Sequence, residues 1–220
     1  PTYRAYLSWL DSIFEKYPDL VIENCGSGGL RMDYAMLSRH SIQSSSDQTD
    51  YIKNACIAAS SVTAVNPEQC AIWSYPMSGQ DKEITVMNMV NAMLLRIHQS
   101  GHLGNLPKEQ FEFVREGIEV YKQIRDDIKS ATPFWLTGLP QFSDDWFTFG
   151  LNCGTHAYLA VWRIGGEETL NMQLTKELEK FTSAELIYPG FSDDKAMIYS
   201  NKTITAKLRN IKTARVFKLF

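Results

Sequence analysis

Two aspartates in a serine-rich segment are the residues of this sequence best placed for acid–base chemistry. Asp47 and Asp50 lie three positions apart, directly after a short strand that is predicted over residues 42–46. A carboxyl group at such a junction can act as a general acid or base. Asp also commonly caps a helix by accepting backbone N–H bonds. We expect one of the two to act only as a cap, and composition alone does not say which.

Earlier in the chain, an apolar run over residues 20–24 predicts another short buried strand. A glycine-rich loop follows it. The loop reads GSGGLR over residues 26–31. A dinucleotide-binding fingerprint would require a glycine where Arg31 stands, and no GK[ST] follows, so neither phosphate-binding loop fits. Because glycines have no side chain, a ligand could approach the backbone of this loop closely, with Cys25 and Arg31 at the rim. A purely structural tight turn is the alternative.

The histidines and one tryptophan give weaker signals. His98 and His102 are spaced i, i+4, but Gln99 stands where the HExxH zinc motif requires a glutamate. We therefore expect no metal site, and nothing in the sequence calls for an organic cofactor. Trp73 ends a third predicted strand, residues 70–73. Its indole could stack on the apolar face of a sugar, or it could equally be a core aromatic residue.

The composition is that of an ordinary globular protein and limits the function classes. The chain has 220 residues, 44% of them hydrophobic and 21% charged, with a formal net charge of -3. This charge gives no reason to expect nucleic acid or an anionic membrane as partner, and no apolar run is long enough to span a bilayer. The most basic segment, residues 207–218, is interpreted as the solvated face of a strand. Four separated cysteines show neither a CxxC pair nor a Cys/His metal spacing, which favours reduced thiols and a cytoplasmic location.

Periodicity divides the chain into two regions, 1–135 and 136–220. Up to about residue 130, helices alternate with short apolar runs, which predicts parallel strands joined by crossover helices. This part includes a long buried helix from residue 81 to residue 99 and a short connection or last strand at 101–104. Beyond Pro133 the pattern predicts seven short strands of an antiparallel sandwich or barrel. They are residues 134–136, 146–152, 156–163, 169–174, 183–188, 196–200 and 203–208.

The segments CGSGGLR and SSSDQTD together resemble the α-galactosidases of glycoside hydrolase family 36. That family has a Cys-x-Ser-Gly-Gly-x-Arg loop and, downstream, Ser-Asp-x-Thr-Asp. The resemblance implies a mixed α/β fold, in which residues 1–135 form the C-terminal part of a (β/α)8 TIM barrel. It also implies that residues 136–220 form an antiparallel β-sandwich domain.

The resemblance further implies a retaining glycosidase that uses two carboxylates and neither metal nor cofactor. Asp47 would be the acid/base, and Asp50 would support the loop. The residues implied in substrate binding are Cys25, Ser27, Gly28 and Arg31, to which the aromatic platform at Trp73 is added. Cys25 and Gly28 would contact galactose hydroxyls, while Arg31 would also hold the loops in place.

The first departure from the family pattern is the absence of the nucleophile segment. The family's nucleophile lies in a Lys-x-Asp segment before the cysteine loop, and this sequence has none there. A whole barrel also needs about 250 residues. We therefore expect the C-terminal portion of a longer enzyme, one that begins in mid-protein and is inactive without its missing N-terminal part.

The second departure concerns the sugar. Ser44-Ser45 replaces the family's Trp-Thr before Ser-Asp, which leaves the leaving-group contact open. The expected ligand is an α-galactoside oligosaccharide, and a homo-oligomer is possible. The alternatives are a non-catalytic sugar-binding or assembly module, an α-N-acetylgalactosaminidase, or a galactosyl transferase.

Overall fold

Helices alternate with parallel strands in the first part of the computed structural model, which describes residues 2–220. Residue 1, where the predicted first region begins, lies outside the described residues. The helices are α1 (Thr2–Lys16), α2 (Tyr34–Leu37), α3 (Tyr51–Ser61), α4 (Lys82–Met93) and α5 (Lys108–Ile128). The strands between them are β1 (Glu23–Asn24), β2 (Ile42–Ser44), β3 (Cys70–Ser74) and β4 (Arg96–Gln99). Among these residues, no helix is both long enough and apolar enough to cross a membrane.

The four strands form one parallel sheet in chain order, β1-β2-β3-β4. The alternation that predicted crossover helices is thereby confirmed. Cys70 and Ile72 on one face of β3 join a core with buried residues of α3 and α4. Because side chains alternate along a strand, Ala71 and Trp73 point to the other face.

That other face, which we call the polar face, carries Glu23, Ser44, Trp73 and His98. The indole Nε1 of Trp73 donates a hydrogen bond to Ser44 Oγ at 3.2 Å. Glu23 on β1 lies 3.6 Å from the imidazole of His98 on β4. In a flat sheet three strand spacings would separate these strands by about 14 Å. The sheet is therefore curved towards its polar face.

The structure corrects several predicted elements of this region. The predicted buried helix over residues 81–99 ends at Met93, and its last residues form β4. His98 and His102 consequently share no helix. The residues 101–104, predicted as a connection or last strand, lead into a short 3-10 helix at Leu103–Asn105. The strand predicted at 20–24 is only Glu23–Asn24.

The remainder of the chain forms two antiparallel sheets. Its strands are β5 (Thr132–Phe134), β6 (Trp146–Asn152), β7 (Ala157–Arg163), β8 (Thr169–Gln173), β9 (Ala184–Tyr188), β10 (Lys195–Ile198), β11 (Thr203–Lys207) and β12 (Thr213–Leu219). Five of them form a sheet in the order β5-β6-β7-β12-β9, and three form a sheet in the order β10-β11-β8. The pattern predicted seven strands here and did not separate β12 as an eighth.

The five-stranded sheet is buried on both faces. Every residue of β7 is buried. Tyr158, Ala160 and Trp162 face the core shared with α4 and α5. The alternate residues, among them Leu159 and Val161, face a second core shared with the three-stranded sheet. The sheet therefore packs the helical region against the three-stranded sheet.

A buried ion-pair cluster crosses this junction. Arg215 on β12 donates two hydrogen bonds to Glu83 on α4, at 2.7 and 2.9 Å, and one to Asp194 at 2.7 Å. Arg215 is only 1% exposed. The interpretation of residues 207–218 as a solvated face is therefore wrong for β12. Two carboxylates compensate the guanidinium, which is what allows the charge to be buried.

We expect Arg215→Ala to destabilise the fold by about 3–5 kcal/mol, since it leaves the carboxylates of Glu83 and Asp194 buried without their partner. Lys207→Ala is the matched control, because Lys207 pairs with Glu168 at an exposed site and such pairs contribute about 0–1 kcal/mol. Urea unfolding of both variants measures the difference. Equal losses would show that the buried cluster adds nothing to the junction.

Candidate active site

The glycine loop and the serine-rich segment are in direct contact. Gly28 has a φ of +73°, and a Cβ at this position would lie 2.6 Å from Cα of Ser46 and 3.1 Å from the carbonyl oxygen of Ser45. A Cβ on Gly29 would lie 3.2 Å from the same oxygen. Only glycine allows this approach and this φ without strain. The two segments that stood out in the sequence therefore form one site after β1 and β2.

The two aspartates have different environments. The carboxylate of Asp50 caps α3, because its Oδ1 accepts hydrogen bonds from the backbone N–H of Ile52 at 2.9 Å and of Lys53 at 3.0 Å. Asp47 is exposed, and its carboxylate makes no hydrogen bond or ion pair with residues 2–220. Of the two, Asp47 is thus the carboxylate left free for chemistry.

Aromatic residues from β3 and β4 lie beside these loops. The ring of Trp73 stacks on Tyr75, with 6.2 Å between centroids, and meets His98 edge-on at 5.1 Å. Buried amides fix the end of β3: Asn54 donates to the carbonyl of Trp73 at 3.1 Å, and Asn88 accepts from the backbone N–H of Tyr75 at 3.3 Å. Trp73 is partly buried, so it belongs to this cluster and remains accessible in part.

Electrostatic effects connect the aromatic cluster to Asp47. Burial, followed by the negative charge of Asp47, raises the pKa of Tyr75. Tyr75 is therefore a neutral phenol near the free carboxylate at neutral pH. Burial lowers the pKa of His98, and the charge of Glu23 opposes this effect. A neutral imidazole can accept or donate one hydrogen bond on the polar face.

The remaining loop residues are placed as follows. Cys25 directly follows β1 and is an exposed, free thiol. Ser27 is exposed and has a φ of +48°. The backbone carbonyl of Arg31 accepts a hydrogen bond from Asn24 at 2.7 Å, and a Cβ on Gly26 would lie 3.1 Å from the Arg31 side chain. Arg31 thus packs over the loop, which favours a role in holding its shape.

A cavity away from these loops carries none of the predicted site residues. Its volume is about 640 Å³, and Glu68, Arg96, Tyr121 and Arg125 are among its lining residues. Glu68 precedes β3 and Arg96 begins β4, so this cavity is at the amino-terminal edge of the parallel sheet. Cys25 and Asp47 follow the carboxyl-terminal ends of their strands. Because catalytic groups collect at the carboxyl-terminal edge of parallel α/β folds, the chemistry of the residues, not the cavity volume, locates the candidate site.

Comparison with known proteins gives one family match. The family model described as Melibiase matches residues 3–131, which is more than half of the chain. The matched region contains both loops of the candidate site and the whole parallel sheet. None of the curated proteins matches the sequence.

Solved structures share the fold at low sequence identity. The galactosidase domain of the α-galactosidase-sucrose kinase AgaSK is 20% identical, with a TM-score of 0.76. A GH36 α-galactosidase, AgaA from Geobacillus stearothermophilus in complex with raffinose, is 15% identical, with a TM-score of 0.77. The α-galactosidase from Lactobacillus brevis is 12% identical, with a TM-score of 0.73. The match covers 96% of this chain and 30% of each of these chains.

Sequence reasoning missed two groups of polar residues. Glu23 and His98 come together beside Trp73 only through the curvature of the sheet, and neither carries a motif. Asp127, Cys153 and His156 form a separate cluster whose ligand atoms lie within 4.8 Å of one another. For the second group a signal existed in the Cys-x-x-His spacing of residues 153–156, and the expectation that the cysteines have no Cys/His metal spacing was wrong.

We expect Gly28→Ala to separate the two loops. The added Cβ requires a strained φ and overlaps the backbone of Ser46, so the cost should be about 2–5 kcal/mol. Gly79→Ala is the control, because Gly79 has a φ of +81° but no heavy atom within 4 Å of its Cβ position. It should cost only about 1–2 kcal/mol. Chemical denaturation measures both, and amide exchange at residues 45–47 should accelerate only in Gly28→Ala. Equal costs would contradict the close packing of the loops.

Proposed function

Because this chain belongs to the melibiase family, we propose that the protein of which it is part hydrolyses terminal α-galactosidic bonds in oligosaccharides. The AgaSK domain and AgaA, which share the fold, are α-galactosidases by name. The observation that carries the proposal is the free carboxylate of Asp47, held beside a glycine loop that only glycine can form. The substrate class and the acid/base role both come from the family resemblance, and the unengaged carboxylate of Asp47 supports that role.

Asp47 is the proposed general acid and then base. In a retaining mechanism one protonated carboxyl group donates its proton to the leaving oxygen while a second, about 5 Å away, attacks the anomeric carbon. The first group then removes a proton from the water that releases the sugar. Asp50 cannot take this role while its Oδ1 caps α3. The nucleophilic carboxylate would come from a part of the protein outside this chain.

The glycine loop is the proposed binding edge for the galactosyl unit. Gly28 and Ser27 present backbone close to Ser46, so a sugar hydroxyl could reach main-chain donors there. The exposed thiol of Cys25 stands at the same edge. Trp73 offers a partly exposed indole, in contact with Tyr75 and His98, against which the apolar face of the sugar can pack. Arg31 supports the loop from the side of α1.

The architecture supports an assignment of this chain to two structural parts of the intact protein. We propose that residues 1–135 are the C-terminal part of a (β/α)8 barrel and that residues 136–220 form a β-sandwich domain. The parallel, sequentially ordered, curved sheet is what a barrel wall requires. Tyr3, Tyr6 and Trp9 on α1 are exposed, and Leu10 is the one buried residue of that helix. The N-terminal part of the same enzyme is the proposed cover for this surface.

In the intact enzyme, Asp47→Asn should lower kcat for oligosaccharide substrates by about 10²–10⁴-fold. Activated nitrophenyl α-galactosides should lose much less, because their leaving group departs without protonation. The ratio of the two kcat values is the measurement. Asp50→Asn is the matched control, because Asn caps helices as well as Asp does; this ratio should be unchanged. A uniform loss for both substrates in Asp47→Asn would remove Asp47 from the acid/base role.

The 220-residue chain alone should not hydrolyse a nitrophenyl α-galactoside, because it lacks a nucleophile in the proposed position. The assay compares the chain with the intact enzyme at equal concentration. Robust turnover by the chain would place the nucleophile among its own residues. Galactose binding by an intact protein that never turns over would favour the sugar-binding module instead.

A further inference from the structure

A second polar cluster lies where α5 ends against the five-stranded sheet. Asp127 is in the last turn of α5, Cys153 is in the turn between β6 and β7, and His156 ends that turn. One ligand atom from each lies within 4.8 Å of the other two. The Nε2 atom of His156 is 3.1 Å from Oδ2 of Asp127. Three segments of the chain therefore bring an oxygen, a sulfur and a nitrogen donor to one point.

We propose that Asp127, Cys153 and His156 bind a zinc ion. Thiolate, imidazole and carboxylate are the protein donors that Zn²⁺ takes, usually in a four-coordinate site. Binding would transfer the thiol proton of Cys153 to solvent, and the imidazole would bind as the neutral base. One thiolate and one carboxylate then balance the double charge of the ion. The cluster is half-buried, so a water molecule from solvent can occupy the fourth position.

The turn that carries two of the ligands is fixed independently of any ion. The backbone N–H of Cys153 donates to the carbonyl of His156 at 2.9 Å. Gly154 has a φ of +85°, and its N–H donates to Asn152 Oδ1 at 3.0 Å. The resulting tight turn holds the Cys-x-x-His pair on one side of the hairpin. Little conformational entropy would therefore be lost in ordering these two ligands.

Neighbouring residues that would not bind the ion themselves orient the donor atoms. Thr155 Oγ1 lies 3.2 Å from Nδ1 of His156, so Nδ1 has its own partner and Nε2 can serve as the ligand. The hydroxyl of Tyr158 donates to Oδ2 of Asp127 at 2.7 Å and lies 3.2 Å from Nε2 of His156, so it fixes the carboxylate and would give up its contact with Nε2 to the ion. Such second contacts typically change metal affinity about 10–100-fold. An ion held here would tie the end of α5 to the β6–β7 hairpin.

Cobalt(II) added alone to the metal-free 220-residue chain tests the proposal without an activity assay. We expect one ion per chain, with the visible bands of a four-coordinate site and a near-ultraviolet thiolate charge-transfer band. Zinc should displace it. Zinc at about ten times its Kd should also raise the Tm by about 3–6 °C, because binding to the folded state alone is stabilising.

Matched variants locate the ion. Cys153→Ser should abolish the charge-transfer band, whereas Cys25→Ser, which removes the exposed thiol, should retain it. Asp127→Asn should weaken binding at least tenfold, and Asp126→Asn should not, because Asp126 is exposed and pairs with Lys129. If Cys153→Ser does not fold, Asp127→Asn and His156→Gln decide the question. Absence of one-to-one binding, or a band lost in Cys25→Ser and kept in Cys153→Ser, would overturn the proposal.

Discussion

The burial of the five-stranded sheet on both faces is the constraint on which the rest of the structure depends. β7 faces α4 and α5 with one set of side chains and the three-stranded sheet with the other. A strand in this position has no solvent face, so its polar groups must find partners inside the protein. The helical region and the antiparallel region consequently share a core, and neither can bury its apolar surface without the other.

Asn91 shows how this constraint reaches the candidate site. Its side chain on α4 accepts a hydrogen bond from the indole of Trp162 at 2.8 Å and donates to the carbonyl of Tyr51 at 2.9 Å. Tyr51 is the first residue of α3 and directly follows the capping residue Asp50. A buried amide therefore connects the centre of the sheet to the helix start that fixes the segment carrying Asp47. The position of the loop that carries Asp47 is thus set partly by a distant layer of the fold.

Sequence patterns predicted most of the elements, and their failures have physical causes. The amphipathic helix α5 and strands such as β6 and β7 have strong periodicity or a continuous apolar run bounded by turn residues. The segment after residue 81 is apolar nearly all round, and such a pattern does not distinguish a buried helix from a buried strand. The residues of β4 were therefore predicted as the end of a helix. β12 was misjudged because its arginine is buried by carboxylates that lie far away in the sequence.

The candidate site was predictable where function depends on local chain geometry and not where it depends on long-range packing. Glycines that allow a close backbone approach are visible as a motif, and so are two aspartates at a helix start. Which aspartate becomes the cap follows from the register of α3, since only Oδ1 of Asp50 meets the free N–H groups of its first turn. Once that carboxylate is engaged, Asp47 is left facing solvent beside Tyr75. The start of the helix therefore determines which of the two carboxylates is engaged as a cap and which stays free.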